Sequence, residues 1–411
     1  MKITRGYKTE LDLNNKQITA CKKHVGCARF AYNWALTRKQ EVYKMTGRTI
    51  TAIDLHKELN ALKQTEFPWM YEVSKCAPQE ALHDADDAMK HFFRRCRLKK
   101  MGKYTGKLGY PRFKSKKKGL GSFRLTGHIH VFEQAIQLPR LGKLRLKEYG
   151  YLPTEGVHIL SATVSEQAEH WFVSVQVEEN IPDLEPATGA PIGVDLGIKT
   201  LAMCSDGTEI ASPKALRKNL KKLVRAQRCL SRRKKGGKNR DKARKRVARI
   251  HSHIANIRRD ALHKATTLIT AKPKREKKRK PKSKQSSGHI HLQQSKHQKK
   301  ATRRERPRTI VLEDLNVAGM TKNHTLAQAI SDVGMGEFRR QMQYKTEWTN
   351  ETLLFADRFY PSTKRCSGCG QVKEQMSLAE RMYVCENDSC KLVLDRDLNA
   401  ARTLAALAHE V

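Results

Sequence analysis

Four cysteines in the last fifth of the 411-residue chain have the spacing of a zinc site. Cys366 and Cys369 form a Cys-x2-Cys pair, and Cys385 and Cys390 form a second pair after 15 intervening residues. Thiolates bind zinc tetrahedrally, and a short turn between two cysteines presents both sulfurs to one ion. All four ligands come from the protein, so we expect a structural Zn²⁺ that folds a zinc ribbon over residues 366–390.

Two further segments carry an acid where a charge is costly. Asp195 interrupts the apolar segment IGVDLGI, and Glu313 lies near the end of the apolar segment TIVLEDL. A buried carboxylate needs a partner or a metal. Strand ends and a helix start that meet can hold divalent ions, and Mg²⁺ prefers oxygen ligands. Two such ions can drive hydrolysis of a phosphodiester.

The third acid is either Asp395 or Asp397, which precede the last predicted helix. If that helix begins near Asp397, then Ala400, Ala401 and Leu404 share a face with it. That small apolar face would pack on the sheet that carries the other two acids. We therefore predict Asp397 as the metal ligand. Asp395 is the alternative ligand, or else a residue that orients the turn.

The charge of the chain indicates its partner. Lys and Arg number 82 against 41 Asp and Glu, which gives a formal net charge of +41. Such an excess repels itself, and it implies a polyanion, for which nucleic acid fits better than a membrane surface. No apolar run is long enough to span a bilayer, and the first residues lack the apolar core of a signal peptide. We expect a soluble cytoplasmic protein of the prokaryotic cytosol or nucleoid.

Elements that could position these residues differ between the two halves of the chain. Helical periodicity predicts three helices within residues 16–106. Alternating segments within 107–188 predict five or six short strands, which with a strand in residues 1–15 suggest a small β-barrel. The class predicted is therefore mixed α/β and multidomain.

The second half is predicted to contain the strands that carry Asp195 and Glu313. After the first of these strands, TLAMCSDGTEI is predicted to be the second arm of a hairpin, with Asp206-Gly207 in the turn. Two basic helices with a near-heptad Leu and Ile repeat predict an antiparallel hairpin. Another helix is predicted over residues 331–349. Residues 272–308 hold 16 Lys and Arg against two Glu, so we expect a basic, disordered insert.

In this order, IGVDLGIKTLA, IVLEDLNVAGM, the cysteine pairs and LDRDLNAARTL resemble the TnpB family. These are transposon-encoded RNA-guided DNA endonucleases related to type V CRISPR effectors. The resemblance spans nearly the whole chain. It implies a RuvC-like RNase H fold over residues 189–365 and 391–411, with the zinc ribbon inserted. It also implies that the barrel is a wedge domain and that residues 16–106 are a recognition module.

For the site, the resemblance implies that Asp195, Glu313 and Asp397 are catalytic and hold Mg²⁺ or Mn²⁺. It assigns zinc to the four cysteines. It also implies a guide RNA from the transposon end that pairs with double-stranded target DNA, beside a short motif that the protein reads. Lys75 and Gln79 match positions that contact this motif, although a plain exposed helix face is the other interpretation.

The sequence thus predicts an RNA-guided DNA endonuclease of a mobile element that uses two-metal hydrolysis. A nuclease-inactive RNA-guided DNA-binding regulator is one alternative, and the intact acidic set argues against it. A DNA strand-transfer transposase is another, since it can share the RNase H fold. The zinc ribbon before the last acid and the predicted barrel disfavour it. The guide sequence, the target motif, the cut pattern and the choice between monomer and dimer stay open.

Overall fold

Two units make up the chain, Met1–Pro182 and Asp183–Val411. The computed structural model describes residues 2–116, 119, 121–181, 184–270, 306–377 and 379–409. Most of the basic insert predicted over 272–308 lies outside these residues. None of the described helices is both long and apolar enough to cross a membrane.

The first unit contains the three helices predicted from periodicity. They are α1 (Asn15–Thr46), α2 (Ala52–Thr65) and α3 (Cys76–Lys100), with a short 3-10 helix at Pro68–Glu72. Asn14 and Gln17 form a capping box at the start of α1, in which each side chain accepts a bond from the other's backbone N–H. Gly47 ends the helix in the left-handed conformation, with a φ of 66°.

One antiparallel sheet of seven strands completes the first unit. Its strands are β1 (Lys2–Asp12), β2 (Ser122–Leu125), β3 (His130–Phe132), β4 (Ala135–Leu138), β5 (Gly142–Leu146), β6 (Val157–Gln167) and β7 (His170–Asn180). Their order is β2-β6-β7-β1-β5-β4-β3. Six strands after the helices match the predicted number, but β6 and β7 have 11 residues each and are not short. Closure of this sheet into a wedge barrel stays a prediction.

The second unit is built on a mixed five-stranded sheet. Its strands are β8 (Ile192–Asp195), β9 (Thr200–Cys204), β10 (Glu209–Ala211), β11 (Thr309–Glu313) and β12 (Thr352–Ala356). The order is β10-β9-β8-β11-β12, in which β11 runs parallel to both of its neighbours. The predicted turn at Asp206-Gly207 is confirmed between β9 and β10, where Gly207 has a φ of 84°.

The second unit also contains helices. They are α4 (Ala215–Ser231), α5 (Lys238–Ile269), α6 (Val317–Met320), α7 (Ala327–Val333), α8 (Met335–Thr349) and α9 (Arg396–Ala406), followed by a 3-10 turn at Leu407–His409. The predicted hairpin of α4 and α5 is confirmed, because Leu223 and Ala226 pack on Ile250 and Ile254. A separate short hairpin pairs β13 (Met382–Val384) with β14 (Val393–Asp395), so the structure of the cysteine region extends beyond the 366–390 bounds predicted for the ribbon.

A buried carboxylate attaches the helical hairpin to the rest of the unit. Asp332, on α7, accepts bonds from the backbone N–H groups of Leu216 and Arg217 in the first turn of α4. It also pairs with Arg258 of α5 at 3.0 Å. The carboxylate therefore satisfies free N–H groups at a helix start and meets its positive dipole end.

The prediction of a single helix over residues 331–349 is wrong in one respect. The segment forms two helices, because α7 ends at Val333 and α8 begins at Met335. Gly334 between them has a φ of 79°, and a Cβ there would lie 3.2 Å from Leu262 Cδ1. The left-handed backbone and the close approach of α5 both favour glycine and break the helix.

Candidate active site and metal centre

The two faces of the five-stranded sheet have different partners. Ile192 and Val194 of β8 belong to the core shared with α5 and α8. Side chains alternate along a strand, so Gly193 and Asp195 lie on the opposite face. In β11, Val311 lies on that opposite face and packs against Leu404 of α9. The sheet therefore separates a helix-covered core from a face that carries the acids and α9.

Strand register places the first two acids side by side. Parallel β8 and β11 pair Val194 with Leu312, one residue before Asp195 and Glu313. Both carboxylates thus lie at the carboxyl ends of adjacent strands and on the face that α9 covers. The carboxyl ends of parallel strands are the usual place for ligand sites in open α/β sheets.

Gly193 brings the third acid to the same place. A Cβ on Gly193 would overlap the backbone of α9, at 2.5 Å from Ala405 N and in closer contact with Ala401 O. Only a glycine allows this approach. Ala401 follows Asp397 by four residues, so the two share a helix face. Asp195 lies two strand residues from Gly193, and Asp397 lies four helix residues from Ala401. Both separations span about 6–7 Å, so the contact at Gly193 brings Asp397 towards Asp195.

Asp395 and Asp397 have different roles in the local structure. Asp395 is the N-cap of α9, and its carboxylate accepts bonds from the backbone N–H groups of Asp397 at 3.0 Å and Leu398 at 3.1 Å. This confirms the prediction that it orients the turn. The predicted apolar face is also confirmed as fully buried at Ala400, Ala401 and Leu404.

The electrostatics of the three acids reflect their closeness. Burial raises the pKa of Asp195 to about 8, and the charges of Glu313 and Asp397 contribute to the increase. Burial also raises the pKa of Glu313, against the opposite effect of a 2.6 Å hydrogen bond from the Ser362 hydroxyl. Like charges held together in a half-buried place favour a cation among them. The donor set is all oxygen, as a hard ion such as Mg²⁺ requires.

The four cysteines form the tighter group. Their four sulfurs lie within 4.8 Å of one another, close enough to hold one metal ion. Among the described residues, no other group of three or more Cys, His, Asp or Glu side chains is this close. The three acids do not form a group of this kind. A catalytic Mg²⁺ is therefore a proposal, whereas the cysteine cluster predicted from spacing is confirmed.

Sulfur geometry fits zinc. The Cys366 and Cys390 sulfurs lie 3.8 Å apart, and those of Cys369 and Cys385 lie 3.5 Å apart. Four sulfurs placed tetrahedrally about 2.3 Å from one zinc would be about 3.8 Å apart. Burial raises the pKa of Cys366, but backbone N–H groups of Cys369 and Gly368 outweigh this and lower it to about 7. A thiolate is the form that binds zinc.

A buried amide ties the cysteine cluster to the helix that carries Asp397. Asn399 is fully buried on α9. Its Nδ2 donates to Arg365 O at 2.8 Å, and its Oδ1 accepts from Ser367 N at 2.9 Å. These two backbone groups flank Cys366. The first cysteine turn and the third acid therefore share one short helical segment.

Ser362 and Asn399 were not predicted from the sequence. Ser362 follows β12 by six residues, and only the sheet order brings it to Glu313. Asn399 gave a weak signal, since it is a polar residue directly before the buried pair Ala400-Ala401. Periodicity identifies buried positions but does not tell which backbone groups a buried amide will meet.

Lys75 and Gln79 lie at the start of α3 in the first unit. Lys75 is exposed and Gln79 is partly exposed, and the backbone N–H of Gln79 donates to Lys75 O at 3.4 Å. Their side chains are thus presented on the first turn of one helix. Their role in reading DNA stays a prediction.

Three family profiles match the chain. Residues 172–277 match the IS605 OrfB family described as "Probable transposase". Residues 336–404 match the "Cas12f1-like, TNB domain", and residues 1–48 match the "Helix-turn-helix domain" of the same OrfB family. The range that matches the TNB domain, residues 336–404, contains the four cysteines and Asp397. In the structure, residues 1–48 hold β1 and α1.

Full-length relatives agree with these matches. The "Putative RNA-guided DNA endonuclease" of Streptomyces pristinaespiralis is 32% identical over 408 residues, which cover 98% of this chain and 89% of the relative. The "Putative RNA-guided DNA endonuclease InsQ" of Escherichia coli K12 is 29% identical over 429 residues, covering 100% and 94%. Fold and motifs define a transposon-encoded protein with a zinc-binding cysteine cluster.

The chain belongs to the IS605 OrfB family, the TnpB proteins. A cryo-EM structure of a Cas12f1–sgRNA–target DNA complex contains a similar fold, with a TM-score of 0.55 over 98% of this chain and 99% of that one, at 13% identity. The mixed α/β, multidomain class predicted from the sequence is therefore confirmed.

Proposed function

We propose that the protein is an RNA-guided DNA endonuclease of an IS605-type element, and that Asp195, Glu313 and Asp397 are its catalytic acids. The convergence of these acids at one edge of the sheet, through strand register and the contact at Gly193, is the observation that carries the proposal. The names of the full-length relatives support the same activity.

Guide RNA and double-stranded target DNA are the proposed partners, and the net charge of +41 suits both. Base pairing between guide and target would read the sequence, and the protein would read a short adjacent motif, with Lys75 and Gln79 as candidates.

The proposed domains are a wedge barrel from residues 1–15 and 107–188 and a recognition module at 16–106. A RuvC-like domain would span 189–365 and 391–411, around the zinc ribbon.

The chain's own groups have distinct tasks in this proposal. Asp195 and Glu313 hold their carboxylates at adjacent strand ends, and Ser362 orients Glu313 through its hydrogen bond. Asp395 fixes the start of α9, so that Asp397 faces the same place. Mg²⁺ ions, when bound, supply the Lewis acid and the activated water for phosphodiester hydrolysis. Zn²⁺ on the four cysteines has a structural task only.

A matched pair of variants tests the proposal. The protein, purified with its RNA, is incubated with target plasmid and Mg²⁺. Asp195→Ala should abolish cleavage while RNA and target binding persist, because it removes one proposed metal ligand. Asp260→Ala is the control, since Asp260 is an exposed acid on α5 that pairs with Lys264. It should cut like the parent. Undiminished cutting by Asp195→Ala would overturn the assignment.

A further inference from the structure

An aromatic ring stands in solvent on the turn that is attached to the acidic end of β11. Phe359 is 88% exposed, the most exposed large apolar side chain in the described residues. It lies in the turn that follows β12. Its neighbour Tyr360 does the opposite, because the Tyr360 side chain packs with Val311 and Leu404. Two consecutive aromatic residues thus have opposite environments, and burial explains only the second.

The turn that carries Phe359 is held by defined contacts. The carboxylate of Asp357 accepts the Phe359 backbone N–H at 2.8 Å, and Asp357 O accepts the Tyr360 N–H at 3.0 Å. Together with the packing of Tyr360, these bonds fix the backbone on both sides of the exposed ring. A fixed backbone reduces the entropy that the ring would lose on binding a ligand.

Both ends of the turn are attached to the acidic end of β11. Arg358 donates to Asp314 at 2.7 Å, directly after Glu313 in the chain. Ser362, three residues beyond Phe359, donates to Glu313 itself at 2.6 Å. The turn that carries the exposed ring is therefore anchored next to one of the proposed catalytic carboxylates, and its position follows that of β11.

The segment that carries the ring is net basic, since residues 357–365 hold Arg358, Lys364 and Arg365 against Asp357, and this favours a polyanion over an apolar protein surface. The Arg358 side chain is 50% exposed although it pairs with Asp314. Arg339 shares that same carboxylate, so two arginines contact one acid. Lys364 and Arg365 follow a few residues later in the chain. An exposed flat ring among cations is the combination with which proteins bind single-stranded nucleic acid, by stacking on bases and contacting phosphates.

We propose that Phe359 stacks on a base of the single DNA strand next to the phosphodiester that is cut, with Arg358 beside it to contact a phosphate. This inference rests on the proposed function and adds a substrate contact to it. A stacked base would hold the strand at a fixed distance from the three acids. Phe359 would thus position the substrate and take no part in the bond chemistry.

Fluorescence of 2-aminopurine tests the contact without cleavage. RNA-loaded Asp195→Ala protein is bound to target DNA that carries 2-aminopurine at successive positions around the cut. One or two positions should be quenched by stacking. Adding Phe359→Ala or Phe359→Leu should remove this quenching, whereas Phe359→Trp should keep it. Leu retains apolar area without a flat ring. Unchanged quenching with Leu would therefore overturn stacking and indicate a merely apolar contact between this side chain and the base.

Cleavage provides the second measurement. In the active protein, Phe359→Ala should slow cutting about tenfold, the order expected for one lost base stack. The dissociation constant for the whole target should change less than twofold, because guide pairing dominates binding. Phe359→Trp should restore the rate. Equal rates for Ala and the parent would contradict the proposal.

This design separates the two levels of inference. If the protein holds no RNA or does not bind the target, the proposed function fails before Phe359 is tested. If target binding persists and quenching is the same in all variants, only the role of Phe359 fails. Zinc content and melting temperature should be the same with and without each Phe359 substitution in the same background, because the ring makes no core contact.

Discussion

The cysteine cluster and the acidic edge are assembled in opposite ways. Four sulfurs come from one 25-residue segment, and they lie within 4.8 Å of one another. Three carboxylates come from two strands and a helix spread over about 200 residues, and their charges repel one another. Local turns suffice for the first site, whereas the second depends on register and on one close backbone contact. The cysteine cluster is local, and the acidic edge depends on the whole unit.

Loss of zinc should have the largest effect, because the local site supports the distributed one. Cys366→Ser should lose the bound zinc and unfold the ribbon, which has too small a core of its own. Asn399 then loses the backbone groups that it holds beside Cys366, and cleavage should fall below detection. Metal analysis and plasmid cleavage measure the two effects. Full cleavage by a zinc-free protein would break the link between the sites.

Gly193→Ala tests the close contact directly. Its methyl group would overlap the α9 backbone, so α9 must move away and carry Asp397 with it. We expect a destabilisation of about 3 kcal/mol and a strong loss of cleavage. Urea unfolding measures the first effect. Gly336→Ala in α8 is the matched control, since nothing lies within 4 Å of its added Cβ. It should stabilise slightly, by about 0.5–1 kcal/mol.

Asn399→Ala should show how firmly α9 holds the ribbon. The change leaves the Ser367 N–H without its buried partner, while Arg365 O keeps only the Thr403 hydroxyl at 3.3 Å, at a cost of about 2 kcal/mol. Zinc should still bind, because the sulfurs remain, but it should pass to a competing chelator faster than in the parent. Stopped-flow zinc transfer measures this rate. An unchanged rate would mean that the ribbon is independent of α9.

The pH dependence of stability tests the burial of Asp195 and its repulsion by the other two acids. Asp195 has a folded pKa of about 8 against an ordinary value of 3.8. A raised folded pKa contributes stability that is present below the unfolded pKa and is lost as pH rises to the folded value. In Mg²⁺-free buffer, Asp195→Asn should therefore gain in melting temperature over the parent between pH 5 and pH 8. Mg²⁺ should remove this gain, since the ionised acids can then hold the cation.

Ser362→Ala should have the smallest effect. Its hydroxyl lowers the pKa of Glu313, so its removal should raise that pKa further. Cleavage should fall about threefold near neutral pH, the scale of one lost hydrogen bond. The acidic limb of the pH–rate profile should move to higher pH. A uniform fall at every pH would point to general damage instead.

Predictability from sequence follows the same division. Cysteine spacing is a local signal, and it identified the metal cluster completely. The acids were predicted from three carboxylates taken in order along a basic chain and then from the family resemblance, because one carboxylate in an apolar strand is ambiguous. Asp397 was separated from Asp395 by helix periodicity, and the observed N-cap agrees. Gly193 escaped notice, although a glycine inside a strand can mark a close backbone approach.

Other features needed the tertiary structure. The break at Gly334 depends on α5 lying against it, so helical periodicity through residues 331–349 was misleading. Contacts of Asp332 with α4, of Ser362 with Glu313 and of Asn399 with the ribbon join residues far apart in the chain. Propensity and spacing describe neighbours in sequence, and these contacts are neighbours only in space.

The close fit of α9 on Gly193 also has a consequence during synthesis. Strand β8 leaves the ribosome about 200 residues before Asp397 is made. At about 5–20 residues per second, the face around Gly193 stays uncovered for roughly 10–40 s. A nascent chain can therefore hold two of the carboxylates but not the third. The order of translation itself keeps a partly made chain from completing the acidic edge.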